Sequence, residues 1–220
     1  MDIMTSQLPV VIIGAGGHGR AALDVAQYIG LMVRAFVDEA HDGETILGVP
    51  VVATFGDMAL PTDFDYFVAL GDNALRQKVA KKTRKELVGK QHASLVHASA
   101  YLSPFSSIGA GSIIMGQAFV GPNCKIGEGC IVNTGGQIDH DCILHDYASI
   151  GPKACLGGHV EIGQRAIIAI GATVKQNLVA GPDALLAAQA YLNEDMSANA
   201  VYRGIPAVKA GTRVTGEKYL

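Results

Sequence analysis

The 220-residue chain has no basic excess: 17 Lys and Arg stand against 20 Asp and Glu, a formal net charge of -3. That balance argues against a nucleic-acid or anionic-membrane partner. No segment reaches the roughly 18 consecutive apolar residues that a membrane span needs. The opening MDIMTSQLPVVIIG lacks a positive n-region and a small-residue cleavage site, so it does not read as a signal peptide, and the cytoplasm is the expected compartment. The four cysteines include no CxxC pair; they are expected to be buried free thiols, with neither a metal site nor a catalytic thiol. What is present, 49% hydrophobic and 17% charged residues, suits a globular chain of one large or two small domains.

Two patterns meet near residue 92. Residues 1–92 alternate short apolar runs (PVVIIG, MVRAFVDE, VPVVAT, DYFVALG) with helical stretches (GRAALDVAQYIG, NALRQKVAKKTRKELVG), the βαβ logic of a small parallel sheet. Residues 93–220 repeat every six. Of the seventeen positions from Val96 to Leu192, sixteen are Val, Leu or Ile, and the residue four further on is usually small. That period belongs to a flat-sided solenoid and not to an amphipathic helix. With three hexapeptides to a turn, five to six coils stack about 4.8 Å apart. DALLAAQAYLNED is rich in helix formers, yet it keeps the frame and is read as coil.

The stretch VVIIGAGGHG ends a strand in a glycine turn, where backbone amides and a helix N-terminus receive phosphate. Gly14, Gly16 and Gly19 spell GxGxxG, and Asp38 follows Gly19 by nineteen residues, a spacing that NAD-binding units share. Only about 90 residues precede the repeats, enough for one mononucleotide-binding half and not for two.

Together GAGGHGR (14–20), FVDE (36–39), LGDNALRQK (70–78), the hexapeptide array, VNTGGQIDHDC (132–142) and YRGIPA (202–207) resemble one family. It is the group of sugar acyltransferases that join a Rossmann-like nucleotide-sugar domain to a left-handed β-helix, containing bacillosamine and perosamine N-acetyltransferases and sialic acid O-acetyltransferases. The resemblance implies acetyl-CoA as co-substrate, a homotrimer with sites between subunits, and N-acetylation of a UDP- or GDP-linked amino-dideoxy sugar, most plausibly at C4. O-acetylation of a sialic acid-like sugar, or a scaffold without catalysis, remain as alternatives. The expected sugar-nucleotide residues are Gly14, Gly16, Gly17, His18, Gly19, Asp38, Asp72, Asn73 and Arg76, although Arg76 also reads as a solvated helix charge.

The same resemblance makes His140 the general base and Asp141 the group orienting its ring. An imidazole near its ordinary pKa can take the proton that a sugar ammonium must lose; positioning without base catalysis is the alternative. Gly158, eighteen residues on, should lie one coil away on the same face, with its amide at the thioester carbonyl, unless it merely turns a corner. Ala188, Gly204 and Pro206 complete the expected acetyl-CoA set, Ala188 reaching it from a neighbouring subunit. Two departures stand out: Ser149 where relatives carry a second histidine, and His145 where they carry glycine. His145 or His159 is then a possible substitute for the missing imidazole.

Overall fold

The computed structural model describes residues 8–57 and 63–217. Residues 1–7, part of the stretch read as carrying no leader, lie outside them. No helix of the described residues is long and apolar enough to cross a membrane.

The N-terminal unit is a five-stranded sheet built from β1 (Val10–Ile13), β2 (Val33–Val37), β3 (Thr45–Ile46), β4 (Val49–Val52) and β5 (Asp65–Val68), in the order β3-β4-β2-β1-β5. β1 runs parallel to β2 on one side and β5 on the other, so its sequence VVII is buried throughout. The short β3 departs from the all-parallel expectation by pairing antiparallel with β4 at the edge. Helix α1 (Gly17–Tyr28) follows β1, burying Ala22, Leu23, Val25 and Ala26. Helix α2 (Asn73–Glu86) follows β5, and Asp72 Oδ1 caps its start by accepting from Leu75 N–H at 2.7 Å. Because β2 and β5 lie on opposite sides of β1, the carboxyl ends of these strands open a crevice at a switch point.

From β6 (Leu95–Val96) to Tyr191–Leu192 a two-residue strand recurs every six residues. The hexad frame is the second residue of each strand, and it points inward. Val120, Ile138, Leu156 and Val174 form one buried column, each paired in parallel with its neighbour one coil away. Three flat faces result, of six, five and eight strands. DALLAAQAYLNED supplies Leu185–Leu186 and Tyr191–Leu192, which pair with Ile167–Ile168 and Thr173–Val174. The exposed ladder of the preceding coil outweighs local helix propensity there.

The hairpin Ala200–Gly204 and Ala207–Thr212 extends the eight-stranded face. At the lower end of that face, Leu95, Ile113, Met115 and Ile131 pack with Val25, Phe36 and Phe67 of the N-terminal unit in a shared core. His92 lies at this joint, stacked on Tyr66 with 4.9 Å between ring centroids. Neither of its ring nitrogens has a hydrogen-bond partner, and burial is the main reason its pKa is pushed down to about 4.

Candidate active site

Polar side chains that the coil does not need for stacking gather where the six-stranded face turns into the five-stranded one. His140 and Asp141 lie two and three residues beyond the buried Ile138. His140 Nδ1 donates to Asp141 Oδ2 at 2.7 Å, which leaves Nε2 as the proton acceptor. The other carboxylate oxygen accepts from Asn123 Nδ2 at 2.5 Å. That bond first, and the one from His140 second, hold the Asp141 carboxyl below its usual range, while the Asp141 hydrogen bond raises His140 above the ordinary histidine value. Asp141 has φ +59°, and Asn123, His159 and Asn177, stacked above and below it at eighteen-residue intervals, share this left-handed geometry. Asn and Asp suit such a corner because their short polar side chains tolerate it.

Gly158 sits one coil above His140. A Cβ there would fall 2.5 to 2.6 Å from Cε1 and Nε2 of the His140 ring, so only glycine leaves the imidazole in place. The neighbouring amides belong to the ladder: Gly157 N–H donates to Val174 O at 2.9 Å and His159 N–H to His140 O at 3.0 Å. His159 meets the same carboxylate from the upper coil, with its Nε2 3.6 Å from Asp141 Oδ2 and its ring edge-on to His140.

A second feature is a cavity of about 620 Å³ between the glycine loop and the eight-stranded face. Gly17 and His18 form one wall; Asn133, Ser149, Ile170 and Ala188 are among the residues opposite. His18 Nε2 is buried without a hydrogen-bond partner in the protein, and burial, followed by the Arg76 charge, pushes its pKa down to about 4. The ring is therefore neutral at pH 7. Gly14 adopts φ +100°, and Gly19 packs so closely on the Gly14 carbonyl that a side chain would overlap it. Gly16 faces open space and α1 has no side-chain cap, so the amides at the start of α1 are available to a ligand. Asp38 pins the loop through Oδ2, which accepts from Ala15 N–H at 2.8 Å.

The readings of Asn73 and Arg76 need correction. Arg76 is neither at a nucleoside nor solvated; it is 1% exposed at the joint between the two units. Its guanidinium donates to the carbonyls of Gly129, Leu70, Gly71 and Tyr147 and to the side chains of Asn73 and Ser149. Asn73 is buried beside it, donating to Arg165 O and Ala166 O. Burial of these groups is tolerated because coil carbonyls point at them. Asp72 serves as the α2 cap.

Ser149 is likewise buried, donating to Asn73 Oδ1 at 2.7 Å. His145 pairs with Glu161 at 2.7 Å on the five-stranded side, so it does not substitute for the second imidazole at the His140 corner. Ala188 lies on the cavity at a different corner from Gly158, and Gly204 and Pro206 flank the turn of the C-terminal hairpin. Asn123 escaped the sequence reading; its signal is the eighteen-residue offset to Asp141.

A model of the PglD N-terminal domain matches residues 9–83. GDP-perosamine N-acetyltransferase of Escherichia coli O157:H7 is 29% identical over 174 residues, covering 76% of this chain and 78% of that protein. PerB from Caulobacter crescentus, solved with CoA and GDP-perosamine, is 35% identical and superposes with a TM-score of 0.86 over 94% of this chain and 99% of its own. This chain belongs to the same hexapeptide-repeat acetyltransferase family. The acetyltransferase domain of PglB from Neisseria gonorrhoeae FA1090, solved with acetyl coenzyme A, is 31% identical, with a TM-score of 0.86 over 93% of this chain and 100% of that one. Membership makes the solenoid a left-handed β-helix and the protein an acyltransferase.

Proposed function

We propose that this acetyltransferase moves an acetyl group from acetyl-CoA to the C4 amine of a UDP- or GDP-linked amino-dideoxy sugar. The observation that carries the reading is the His140–Asp141 pair stacked on Gly158, in a fold shared with PerB. The diphosphate lies over the glycine turn and the N-terminus of α1. The sugar amine, having given its ammonium proton to solvent, attacks the thioester carbonyl. The tetrahedral oxyanion takes a hydrogen bond from the Gly158 amide. His140 Nε2 accepts the proton shed by the attacking nitrogen and returns it to the departing CoA thiolate, giving the acetamide and CoASH. Asp141 holds Nδ1–H and stabilises the imidazolium between the two transfers.

His140 projects from the edge between the six- and five-stranded faces, whereas the cavity under the glycine loop opens on the eight-stranded face. We assign the complete site to two copies of a homotrimer, the corner of one meeting the cavity of the next. The outward column Tyr101, Phe119, Gln137, Cys155, Thr173 and Tyr191 on the six-stranded face carries no charged residue and supports packing against a copy. We place the reaction in the cytoplasm, where thiols such as Cys124, Cys130, Cys142 and Cys155 stay reduced.

Thiol release from acetyl-CoA with a panel of UDP- and GDP-linked 4-amino-4,6-dideoxy sugars and a free sialic acid tests the reading. Turnover on one aminosugar nucleotide, falling about 10²- to 10⁴-fold in His140→Ala, is the expected result. Turnover on the sialic acid alone would replace it with O-acetylation, and nucleotide-sugar binding without turnover would replace it with a scaffold.

A further inference from the structure

His140, Asp141 and His159 bring three donor atoms within 4.8 Å of one another. We propose that this corner also binds a divalent cation of the zinc class, through His140 Nδ1, Asp141 Oδ2 and His159 Nε2, and that the ion switches the transferase off. A tetrahedral zinc with ligands about 2.0–2.1 Å away separates its donors by about 3.4 Å. Asp141 Oδ2 and His159 Nε2, 3.6 Å apart, already stand near that spacing. His140 Nδ1 and Asp141 Oδ2, hydrogen-bonded at 2.7 Å, need only separate slightly once the intervening proton leaves.

The site is partly organised in advance. Asn123 holds the second oxygen of Asp141 at 2.5 Å, so the first stays aimed between the two rings. The matching left-handed corners, φ +59° at Asp141 and +58° at His159, keep the two side chains in register from coil to coil. Solvent reaches all three side chains, which gives an ion an entry path and water for its fourth position. Two imidazoles with one carboxylate favour zinc, cobalt or nickel over magnesium and calcium.

Binding has a defined consequence for the proposed chemistry. The ion takes the Nδ1 lone pair, and the proton of the neutral ring moves to Nε2. Nε2 then has no lone pair for the sugar amine, and no electron transfer is involved. The inhibitory half of this inference rests on His140 as base; the binding half rests on the three ligands alone.

The test uses the whole protein after chelator treatment and has two readouts. Co²⁺ is titrated while its visible d–d absorption is recorded, with Zn²⁺ as competitor, and thiol release is measured with and without Zn²⁺. His159→Asn is the informative variant, since Asn occupies the same left-handed corner at Asn123 and Asn177 and should preserve the coil. A tetrahedral cobalt spectrum is expected in the wild type, weakened at least about tenfold in His159→Asn. Turnover is expected to fall with Zn²⁺ and return with chelator, at ion concentrations that follow the cobalt affinity. Absence of the spectrum, or equal affinity in His159→Asn, overturns the site. A His159-dependent spectrum with turnover unaffected by Zn²⁺ overturns the inhibition. A His159-dependent spectrum in a protein that transfers no acetyl group upholds the binding half and overturns the functional reading instead.

Discussion

At the scale of single residues, the site rests on one carboxylate shared between neighbouring coils. Asp141 raises His140 above its ordinary value, and the base proposed above works only when neutral, so activity is expected to fall as pH drops through that raised value. In Asp141→Asn the raising interaction is gone; the acid limb of kcat/KM should move to lower pH while kcat declines, and a limb that stays in place would remove Asp141 from this role. Gly158→Ala should cost about 10²-fold in turnover by displacing the imidazole, with Tm unchanged. The place of Gly158 beside His140 was legible in the sequence because the solenoid converts an eighteen-residue offset into a spatial neighbour, whereas Asp141 was marked by the family resemblance. The setting of Arg76 was not legible, since its acceptors at Gly129 and Tyr147 lie far away in sequence and follow no period shared with α2.

At the scale of elements, the hexad frame announced every coil strand because each one reuses the same two positions, one inward and one outward. It also predicted the strand content of DALLAAQAYLNED, where composition alone suggested helix. What the frame leaves out is how a helix joins the solenoid. The first turn of α2 is clamped to two coil corners by the Arg76 guanidinium, whose acceptors are mostly backbone carbonyls. Arg76→Met keeps the aliphatic bulk but strands buried carbonyls, at about 1–3 kcal/mol each where no water replaces the donor. A drop of at least about 3 kcal/mol in urea-unfolding free energy is expected for the joint; an unchanged midpoint would show the clamp to be dispensable.

At the scale of the whole molecule, two units share one core, and His92 makes their joint sensitive to acid. Its pKa of about 4 in the folded state lies below the ordinary 6.5, so the unfolded chain binds the proton more readily. Stability is therefore complete above about pH 6.5 and declines as pH falls toward 4, by about 3 kcal/mol from this residue. Urea titrations across that range should show the loss, and His92→Phe should remove this residue's share of it while leaving that of His18, whose pKa is also pushed down to about 4; an equal slope in the variant would assign the acid sensitivity elsewhere. How copies would meet in the proposed trimer is less legible, because the repeats specify flat faces but not which faces pair. In the proposed site a corner of one copy completes the cavity of another. The most direct test of that sharing is the acetyltransferase activity of trimers formed by co-expressing two inactive variants, His140→Ala and Gly17→Trp, the latter filling the mouth of the cavity. If each site is shared, random mixing restores about a quarter of wild-type activity, because one site in four has an intact corner facing an intact cavity. If every chain carries its own complete site, the mixture stays inactive and the claim fails.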